Sequence, residues 1–286
     1  MIEGQEGVEW RQWLALARAA EDAGLDALFR SDHYRSIVRG EPAGSLDAWG
    51  TLAGLAVRTE RIRLGTLVSP VTFRSASVLA KNVVTVDHVS GGRVELGIGA
   101  GWYEAEHATY GFRFGTTRAR LDELDAQLAE IHRQWTEADD VQPKPVQQPH
   151  PPIVVGGRAR PRTVRAAVAR ADEYNALFPT LEDAREHRRL LDDAARAAGR
   201  DPLRLSMMAG CVVGRDEAEM RDRLAAWQER TGRTSESPQL CGTLEQVAEQ
   251  LRTFEQAGVE RAMLQQLVHE DVEMVGVLGE VAAGLR

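Results

Sequence analysis

The sequence predicts an α/β fold, a (β/α)8 barrel of eight parallel strands surrounded by helices. Short β-branched or apolar runs alternate with long stretches of helical period along the chain, which is the pattern of a parallel sheet with crossover helices. The length of 286 residues is ordinary for one barrel of eight strand–helix units. We therefore expect a single domain over residues 1–286.

The first half of the chain alternates amphipathic helices with short apolar strands. Gly24 is placed to end the first helix, and Leu121, Leu124, Leu128 and Ile131 form one apolar stripe on the fourth. The predicted helices cover 10–23, 47–57, 78–89 and 117–135, and the predicted strands cover 27–30, 62–68 and 94–99. Residues 100–116 are interpreted as a loop.

The second half repeats the alternation after a proline-rich connection over 143–152, which cannot be helix or central strand. The predicted strands are 153–155, 174–177, 205–213 and 261–267, and the helices are 161–171, 181–198, 217–228, 244–257 and 270–285. These are seven strands in total. A closed barrel needs eight, so we take Met1-Ile2-Glu3 as the end of a clipped first strand.

Composition excludes several classes of function. The formal net charge of −8 argues against nucleic acid as a partner. No apolar run is long enough to cross a membrane and no secretory pattern opens the chain, so we expect no membrane association and a cytoplasmic location. Cys211 and Cys241 lack the spacing of metal ligands, and we expect reduced, structural thiols and no metal site.

In parallel barrels the active site lies at the carboxyl ends of the strands. Asp32 and His33 directly follow the strand at 27–30, where an imidazole titrates near neutral pH and can exchange a proton with a substrate. The alternative interpretation of this pair is a helix-capping aspartate beside a surface histidine.

Two glycine-rich segments follow later strands. Residues 97–101 lack the third glycine of a dinucleotide-binding motif, so they form either a tight turn or a backbone that a flat ring approaches closely. Gly156-Gly157-Arg158 precedes a helix and offers backbone N–H groups and a guanidinium to a phosphate, or is simply a turn. The intervening loop is rich in aromatics, which form either core or the wall of an apolar pocket: Trp102, Tyr103, Tyr110, Phe112 and Phe114.

With these residues in view, the sequence resembles the luciferase-like monooxygenase superfamily, and within it the actinobacterial enzymes that use coenzyme F420. The matching stretches are 28–34, 64–74, 86–104, 151–157 and 171–175, and the resemblance covers nearly the whole chain. These motifs are specific for the superfamily and less so for the cofactor, because members that use reduced FMN share them.

The resemblance implies a role for each site residue. Asp32 and His33 would lie beside the deazaflavin ring, with His33 also facing the substrate, and Leu67-Val68 would form a bulge with a cis peptide behind the ring. The remaining implied cofactor contacts are Pro70, Trp102 and Tyr103 near the ring and Gly156, Gly157 and Arg158 at the phosphate. Family analogy also implies a homodimer.

Two departures from the family pattern weaken any inference about the substrate. Relatives begin several residues before Met1, and they carry a longer segment between Trp135 and Pro143, where this sequence has only 136–142. Either a lid over the site is absent or the sequence joins the two sides of a segment that is not seen.

The leading hypothesis is hydride transfer between coenzyme F420 and a small organic substrate, with a proton relay through His33. Arg158, Arg160 and Arg162 would attract the charged tail of the cofactor. The alternatives are an FMNH2-dependent monooxygenase that uses dioxygen and a non-catalytic flavin- or deazaflavin-binding protein. A phosphosugar-processing barrel is disfavoured, because no catalytic lysine or paired carboxylates appear at the strand ends.

Overall fold

A computed structural model describes residues 1–38 and 43–285. The strands in this part of the chain are β1 Ala27–Arg30, β2 Arg63–Thr66, β3 Ser69–Pro70, β4 Val94–Gly99, β5 Ile153–Gly157, β6 Glu173–Leu177, β7 Arg204–Gly214, β8 Leu240–Thr243 and β9 Arg261–Gln265. The α-helices are α1 Trp10–Asp22, α2 Ala48–Ala56, α3 Ala76–Ser90, α4 Glu104–Tyr110, α5 Thr117–Thr136, α6 Pro161–Arg170, α7 Leu181–Ala197, α8 Glu217–Thr231, α9 Leu244–Gln256 and α10 Glu273–Ala283. A 3-10 helix spans Gly4–Glu6.

The strands form a parallel sheet that closes on itself. Neighbouring strands pair in the order β1-β2-β4-β5-β6-β7, and β9 pairs with the other edge of β7. Ile2 forms parallel bridges to Arg30 at the end of β1 and to Gln266 just after β9, which completes the circuit. The predicted (β/α)8 barrel is confirmed, with Ile2 alone standing in the bridging position of the first strand.

Three local predictions were wrong or incomplete. The strand at 62–68 stops at Thr66, and the chain bulges before Ser69–Pro70 pairs with β4 instead. Leu240–Thr243 forms a strand that the short, glycine-containing sequence did not indicate; it pairs with the distal part of β7, which is 11 residues long and extends beyond the barrel wall. The predicted loop over 100–116 contains helix α4.

Side chains of the strands pack in two layers, as a barrel requires. Outward-facing side chains such as Leu64 and Leu96 join the helices in the main core. Inward-facing Phe29, Val154 and Met263 form a smaller cluster inside the barrel. The alternation along each strand therefore buries both faces of the sheet, which is why the strands are almost continuously apolar in sequence.

An ion cluster closes the barrel at the amino ends of the strands. The guanidinium of Arg261 donates to Glu95 at 2.7 Å and to Glu173 at 3.1 Å, and Arg63 donates to Glu95 from the neighbouring strand. Burial alone would raise the pKa of Glu95, but these hydrogen bonds and charges outweigh it and lower that pKa. Both oxygens of Glu95 are hydrogen-bonded within the cluster, whereas Glu173 is bonded through Oε2 and its buried Oε1 has no partner among the described residues.

Glycines make room for the bulge between β2 and β3. The peptide bond between Leu67 and Val68 is cis, as the resemblance implied. The Val68 side chain lies against glycines at the ends of β4 and β5. A Cβ added to Gly99 would lie 2.7 Å from Val68 Cγ2, and a Cβ added to Gly156 would lie 3.0 Å from Val68 Cγ1. A Cβ on Gly97 would overlap the carbonyl oxygen of Thr66.

Gly97→Ala is expected to lower the free energy of unfolding by about 2–4 kcal/mol, because β2 and β4 would have to separate to admit the methyl group. The matched control is Gly276→Ala in α10, where a Cβ meets nothing within 4 Å and stability should rise by about 0.5–1 kcal/mol. Urea denaturation of both variants checks this, and equal midpoints would contradict the close-packing argument.

Candidate active site at the barrel mouth

All barrel strands run parallel, so the segments that follow β1, β3, β4 and β5 meet at one end of the barrel, which we call the mouth. The structure brings most of the predicted site residues together there. The rings of His33 and Trp102 lie 5.8 Å apart, and Val68 touches the ends of both β4 and β5.

His33 is held by a carboxylate from a distant part of the chain. Its Nδ1 lies 2.8 Å from Oε2 of Glu106, whose side chain is fully buried. The other oxygen of Glu106 accepts hydrogen bonds from the backbone N–H groups of Tyr34 and Arg35. Glu106 thus fixes both the imidazole and the loop that carries it.

The environment of His33 suits proton exchange. Burial works against its charged form, but the hydrogen bond and charge of Glu106 outweigh that effect and raise the pKa of His33 above its usual value. With Nδ1 bound to a carboxylate, Nε2 is the nitrogen left to a ligand. It has no hydrogen-bond partner within residues 1–38 and 43–285, and 14% of the side chain is exposed.

Glu106 is the functional candidate that the sequence analysis missed. It lies on α4, which spans only seven residues and lies in the predicted loop. Signals for this helix were present: acidic residues in the first turn, Glu104 and Glu106, and Gly111 just past its end with a left-handed φ of 73°.

Asp32 is buried and fully engaged. Ser69 Oγ donates to its Oδ2 at 2.7 Å, and Arg74 donates to both oxygens, at 2.6 and 3.4 Å. Arg74 also donates to Asp47 Oδ2 at 2.6 Å and to the hydroxyl of Tyr34 at 3.1 Å. Asp32 therefore ties the end of β1 to the segment after β3, and its role toward a cofactor stays a prediction.

The charges of this network support one another. Burial would lower the pKa of Arg74, but Asp32, Tyr34 and Asp47 raise it. Burial would raise the pKa of Asp47, but the backbone N–H of Gly50, the Tyr34 hydroxyl and Arg74 lower it. Burial raises the pKa of Tyr34, so the phenol stays neutral. The mouth thus contains a fixed guanidinium between acidic side chains.

The aromatic residues of the predicted loop divide into two groups. Phe112 stacks on Phe73 with ring centroids 4.4 Å apart and on Tyr34 at 5.7 Å, and Phe114 lies under the guanidinium of Arg120 at 3.8 Å. Tyr110 is half-exposed, with its ring 5.3 Å from Tyr34 and its hydroxyl donating to the Tyr34 carbonyl, so contacts within the loop are a sufficient explanation for this group.

Trp102 and Tyr103 behave differently. Their rings stack at 5.2 Å, and both lie edge-on to His33. Trp102 is 59% exposed despite these contacts, whereas the Tyr103 hydroxyl donates to the backbone oxygen of Ser36 at 3.2 Å. Trp102 therefore presents an exposed indole surface beside His33.

Leu67 and Pro70 flank the bulge from opposite sides. Leu67 belongs to the cluster inside the barrel, and Pro70 is buried and pairs in register with Gly99. Neither offers a polar group, so any contact with a ligand there is through apolar atoms or backbone.

The segment after β5 has the features of an anion site. Gly156 and Gly157 end the strand, and Arg158 is exposed, with no ion pair to any residue of the described part. Ala159 follows in a left-handed conformation, φ 45°, and its N–H donates to the hydroxyl of the buried Tyr174. Helix α6 then begins at Pro161, so its first N–H groups face the same place.

The three arginines of this segment are not equivalent. Arg158 and Arg160 are exposed without ion pairs within 1–38 and 43–285, whereas Arg162 is already paired with Asp122 and Asp125 of α5. Arg158 and Arg160 are consequently the cations available to a ligand, and Arg162 contributes less than the sequence suggested.

Comparison with known proteins places this geometry in a family. Residues 2–237 match the family described as luciferase-like monooxygenase. The chain belongs to the luciferase-like monooxygenase family. An uncharacterized protein of Mycobacterium tuberculosis is 30% identical over 243 residues, which cover 75% of this chain and 82% of that protein.

Some similar proteins are named for a deazaflavin or were solved with a flavin. The F420-dependent glucose-6-phosphate dehydrogenase of Amycolatopsis mediterranei is 33% identical over 127 residues, covering 44% of this chain and 38% of that enzyme. An F420-dependent secondary alcohol dehydrogenase solved with an F420–acetone adduct superposes with a TM-score of 0.81 at 18% identity, covering 100% and 98% of the two chains. A type II Baeyer–Villiger monooxygenase of Pseudomonas putida, solved with FMN, gives 0.79 at 17%, covering 99% and 97%.

No described helix is both long and apolar enough to cross a membrane. In the same residues, no group of three or more histidine, cysteine, aspartate or glutamate side chains is arranged to hold a metal ion.

Glu106→Gln is expected to lower the pKa of His33, because it removes the charge that raises it. In the wild type the pair adds stability below about pH 6.5, the unfolded value, and this contribution is lost as the pH rises through the folded pKa. The substitution should therefore destabilise the protein more at pH 6 than at pH 9.

An NMR titration of the His33 ring, with denaturation at the two pH values, measures both effects. Glu104→Gln is the matched control, since Glu104 is exposed on the same first turn of α4. An unchanged pKa of His33 in Glu106→Gln, or an equal change in the control, would contradict the claim that Glu106 raises the pKa of His33.

Proposed function

We propose that this enzyme transfers a hydride between coenzyme F420 and a small organic substrate at the barrel mouth. The observation that supports this most is His33: the buried Glu106 holds its Nδ1, while its Nε2 has no hydrogen-bond partner in the described part of the chain and 14% of its side chain is exposed. The cofactor would supply the hydride chemistry, and the protein would supply orientation, burial and a proton.

The residues present fit a planar ring with a phosphate tail. Gly99 and Gly156 carry no side chains where β4 and β5 end, and the methyl groups of Val68 occupy the places that their Cβ atoms would take. A flat ring would lie against this apolar surface of Val68 methyl groups. On one side of it, Arg158 and the amino end of α6 offer the charge and N–H groups that bind a phosphate.

His33 would exchange a proton with a substrate oxygen. Its raised pKa keeps a useful fraction protonated near neutral pH, which is the condition for general acid catalysis at that pH. Asp32 would act indirectly, by holding Ser69 and Arg74 and so fixing the strand ends around the ring. Trp102 would exclude water from one side of the pocket.

The choice of F420 over FMN rests on the names of two relatives, a putative coenzyme F420-dependent oxidoreductase of Mycobacterium tuberculosis and the F420-dependent glucose-6-phosphate dehydrogenase. A solved structure with FMN shares the fold at low identity. A binding experiment must therefore distinguish an F420-dependent enzyme from a flavin monooxygenase. The cytoplasmic location and the homodimer remain predictions.

Arg158→Ala is expected to weaken F420 binding by about 10- to 100-fold, the loss of one or two charge-assisted hydrogen bonds. Parallel fluorescence titrations with F420 and FMN at one ionic strength measure this, with Arg165→Ala as the control, because Arg165 is exposed further along α6. Tighter binding of FMN by the wild type would overturn the F420 proposal. An equal loss of F420 affinity in both variants would show that Arg158 has no specific role in binding the phosphate.

His33→Asn is expected to lower turnover by about 10²- to 10⁴-fold while changing F420 affinity little. The assay follows the visible absorbance of F420 with a panel of secondary alcohols, aldehydes and enones, using whichever compound the wild type converts. Turnover equal to wild type would refute proton transfer by His33. A matched loss of F420 affinity would instead make His33 a binding residue.

A further inference from the structure

The carboxyl end of β6 places an apolar side chain inside the barrel. Asn175 of β6 donates to Ser206 Oγ and to Met263 Sδ, both at 2.9 Å, so its side chain lies inside the barrel. Side chains alternate along a strand, and Leu177 follows two residues later on the same face. Leu177 is also the register partner of Met208, which belongs to the cluster inside the barrel. Two independent observations therefore direct the Leu177 side chain into the barrel.

Leu177 forms the open upper layer of the barrel interior on this side. Below it, Asn175 and Met208 are buried, whereas Leu177 is 46% exposed. An exposed leucine on an outer surface needs no explanation. This one lies at the rim of a concave site, where its apolar surface is accessible to a bound molecule.

The next residue, Phe178, has a strained backbone. Its φ of 46° is a left-handed conformation that is rare for a bulky side chain. The turn is held on both sides: Phe178 N donates to Met208 O at 2.9 Å, and the carbonyl of the buried Pro179 accepts from Gln239 Nε2. Regular alternation would bury Phe178 beneath the helices, as it does Tyr174, but the phenyl group is 47% exposed. Strain of this kind concentrates at ligand-binding segments.

Leu177 and His33 lie on opposite sides of the mouth. In one direction around the barrel, β2, β4 and β5 separate β1 from β6. In the other direction, Ile2, β9 and β7 separate them. The strand that ends at Leu177 is therefore diametrically opposite the strand that precedes His33. A molecule with an oxygen atom on His33 would extend across the mouth towards Leu177.

The inward positions beside Leu177 are neutral or lack a side chain. On β7, two residues beyond Met208, the inward position is Gly210. On β9, Gln265 is in register with Gly210, and its neutral amide donates to Glu3 Oε1 at 2.6 Å. An alkyl or aryl group would be accommodated here, whereas an anionic group would be repelled by the Glu3 carboxylate.

We propose that Leu177 and Phe178 form an apolar wall that selects the substrate, and that the substrate is a neutral alcohol or carbonyl compound with an alkyl or aryl group. This rests on the proposed hydride transfer at His33, which it extends from the reacting atoms to the rest of the substrate. The oxygen would contact His33 Nε2, and the apolar group would cover Leu177. In the oxidative direction the carbinol C–H bond breaks, its hydride passes to F420, the hydroxyl proton passes to His33, and the carbonyl compound is left.

The first test measures binding without turnover. Methyl NMR of labelled methionines follows titrations with methyl ketones of increasing chain length. The signal of Met208, the register partner of Leu177, should shift, with affinity rising about fourfold for each added methylene. Leu177→Asn should reduce this increment to less than about twofold, and Leu177→Met should retain it. The matched control is Val89→Asn on α3, which is 43% exposed and should behave as the wild type.

Equal increments in the wild type and Leu177→Asn would overturn the proposal, as would an unchanged Met208 signal. A shift of Met207 without Met208 would also overturn it. Met207 packs with the helix layer outside the barrel, so that result would place the ketone elsewhere.

Phe178→Asn tests the second residue of the wall. Asparagine tolerates a left-handed conformation, so the turn should be kept while the ring is removed. Affinity for the longest ketones should fall about tenfold with the thermal midpoint unchanged. An unchanged affinity would contradict the proposal for Phe178.

The second test separates the wall from hydride transfer. Absorbance assays with F420 compare kcat/KM for the neutral compounds with that for carboxylate-bearing analogues of the same length, and the neutral series should be favoured about tenfold or more. A Met208 response without F420 turnover would keep the wall and refute hydride transfer. Turnover that is independent of chain length, or that favours the carboxylates, would refute the wall and keep hydride transfer.

Discussion

Closure of the barrel depends on the backbone of two residues, Met1 and Ile2, which bridge β1 to β9. A parallel sheet that closes has all its carboxyl ends at one rim, and this single topological fact gathers His33, Val68, Trp102 and Gly156 from segments that are far apart in sequence. If the pairing of Ile2 with β1 were lost, the end of β1 would have no neighbour on that side, and His33 follows β1 by three residues. The position of His33 therefore depends on this pairing through β1.

Residues 31–38, which follow β1, form neither helix nor strand, yet buried carboxylates from two other elements hold them in place. Glu106 of α4 accepts hydrogen bonds from the N–H groups of Tyr34 and Arg35. Glu6 of the 3-10 helix accepts from Ile37 N at 2.7 Å and from Ser36 Oγ at 2.6 Å. A buried carboxylate is costly without donors. Most of the donors to these two carboxylates are backbone N–H groups. The carboxylates and the N–H groups therefore satisfy one another's hydrogen-bonding needs where water is excluded.

The sequence was sufficient for the fold because strand and helix periods are local properties. It also predicted the position of Asp32, His33 and Gly156 at the mouth, because parallel topology alone places residues after a strand there, whereas their roles stay predictions. Glu106 could not be found this way, since its importance comes from a contact with His33 across 73 residues. Arg74 is a similar case: its sequence position says nothing of the two aspartates that it joins, Asp32 and Asp47. Strand β8 was missed because its pairing depends on the unusual length of β7.

Two histidines lie near the mouth, and their hydrogen bonds distinguish them. His107 uses both ring nitrogens, Nε2 with Thr72 Oγ1 at 2.7 Å and Nδ1 with the Tyr103 carbonyl at 2.8 Å, and it is 1% exposed. His33 uses only Nδ1, on the Glu106 carboxylate that adjoins His107 in sequence. The first imidazole is a structural link between α4 and the segment after β3. The second keeps one nitrogen for a ligand, and Glu106 is what allows it to do so without losing its orientation.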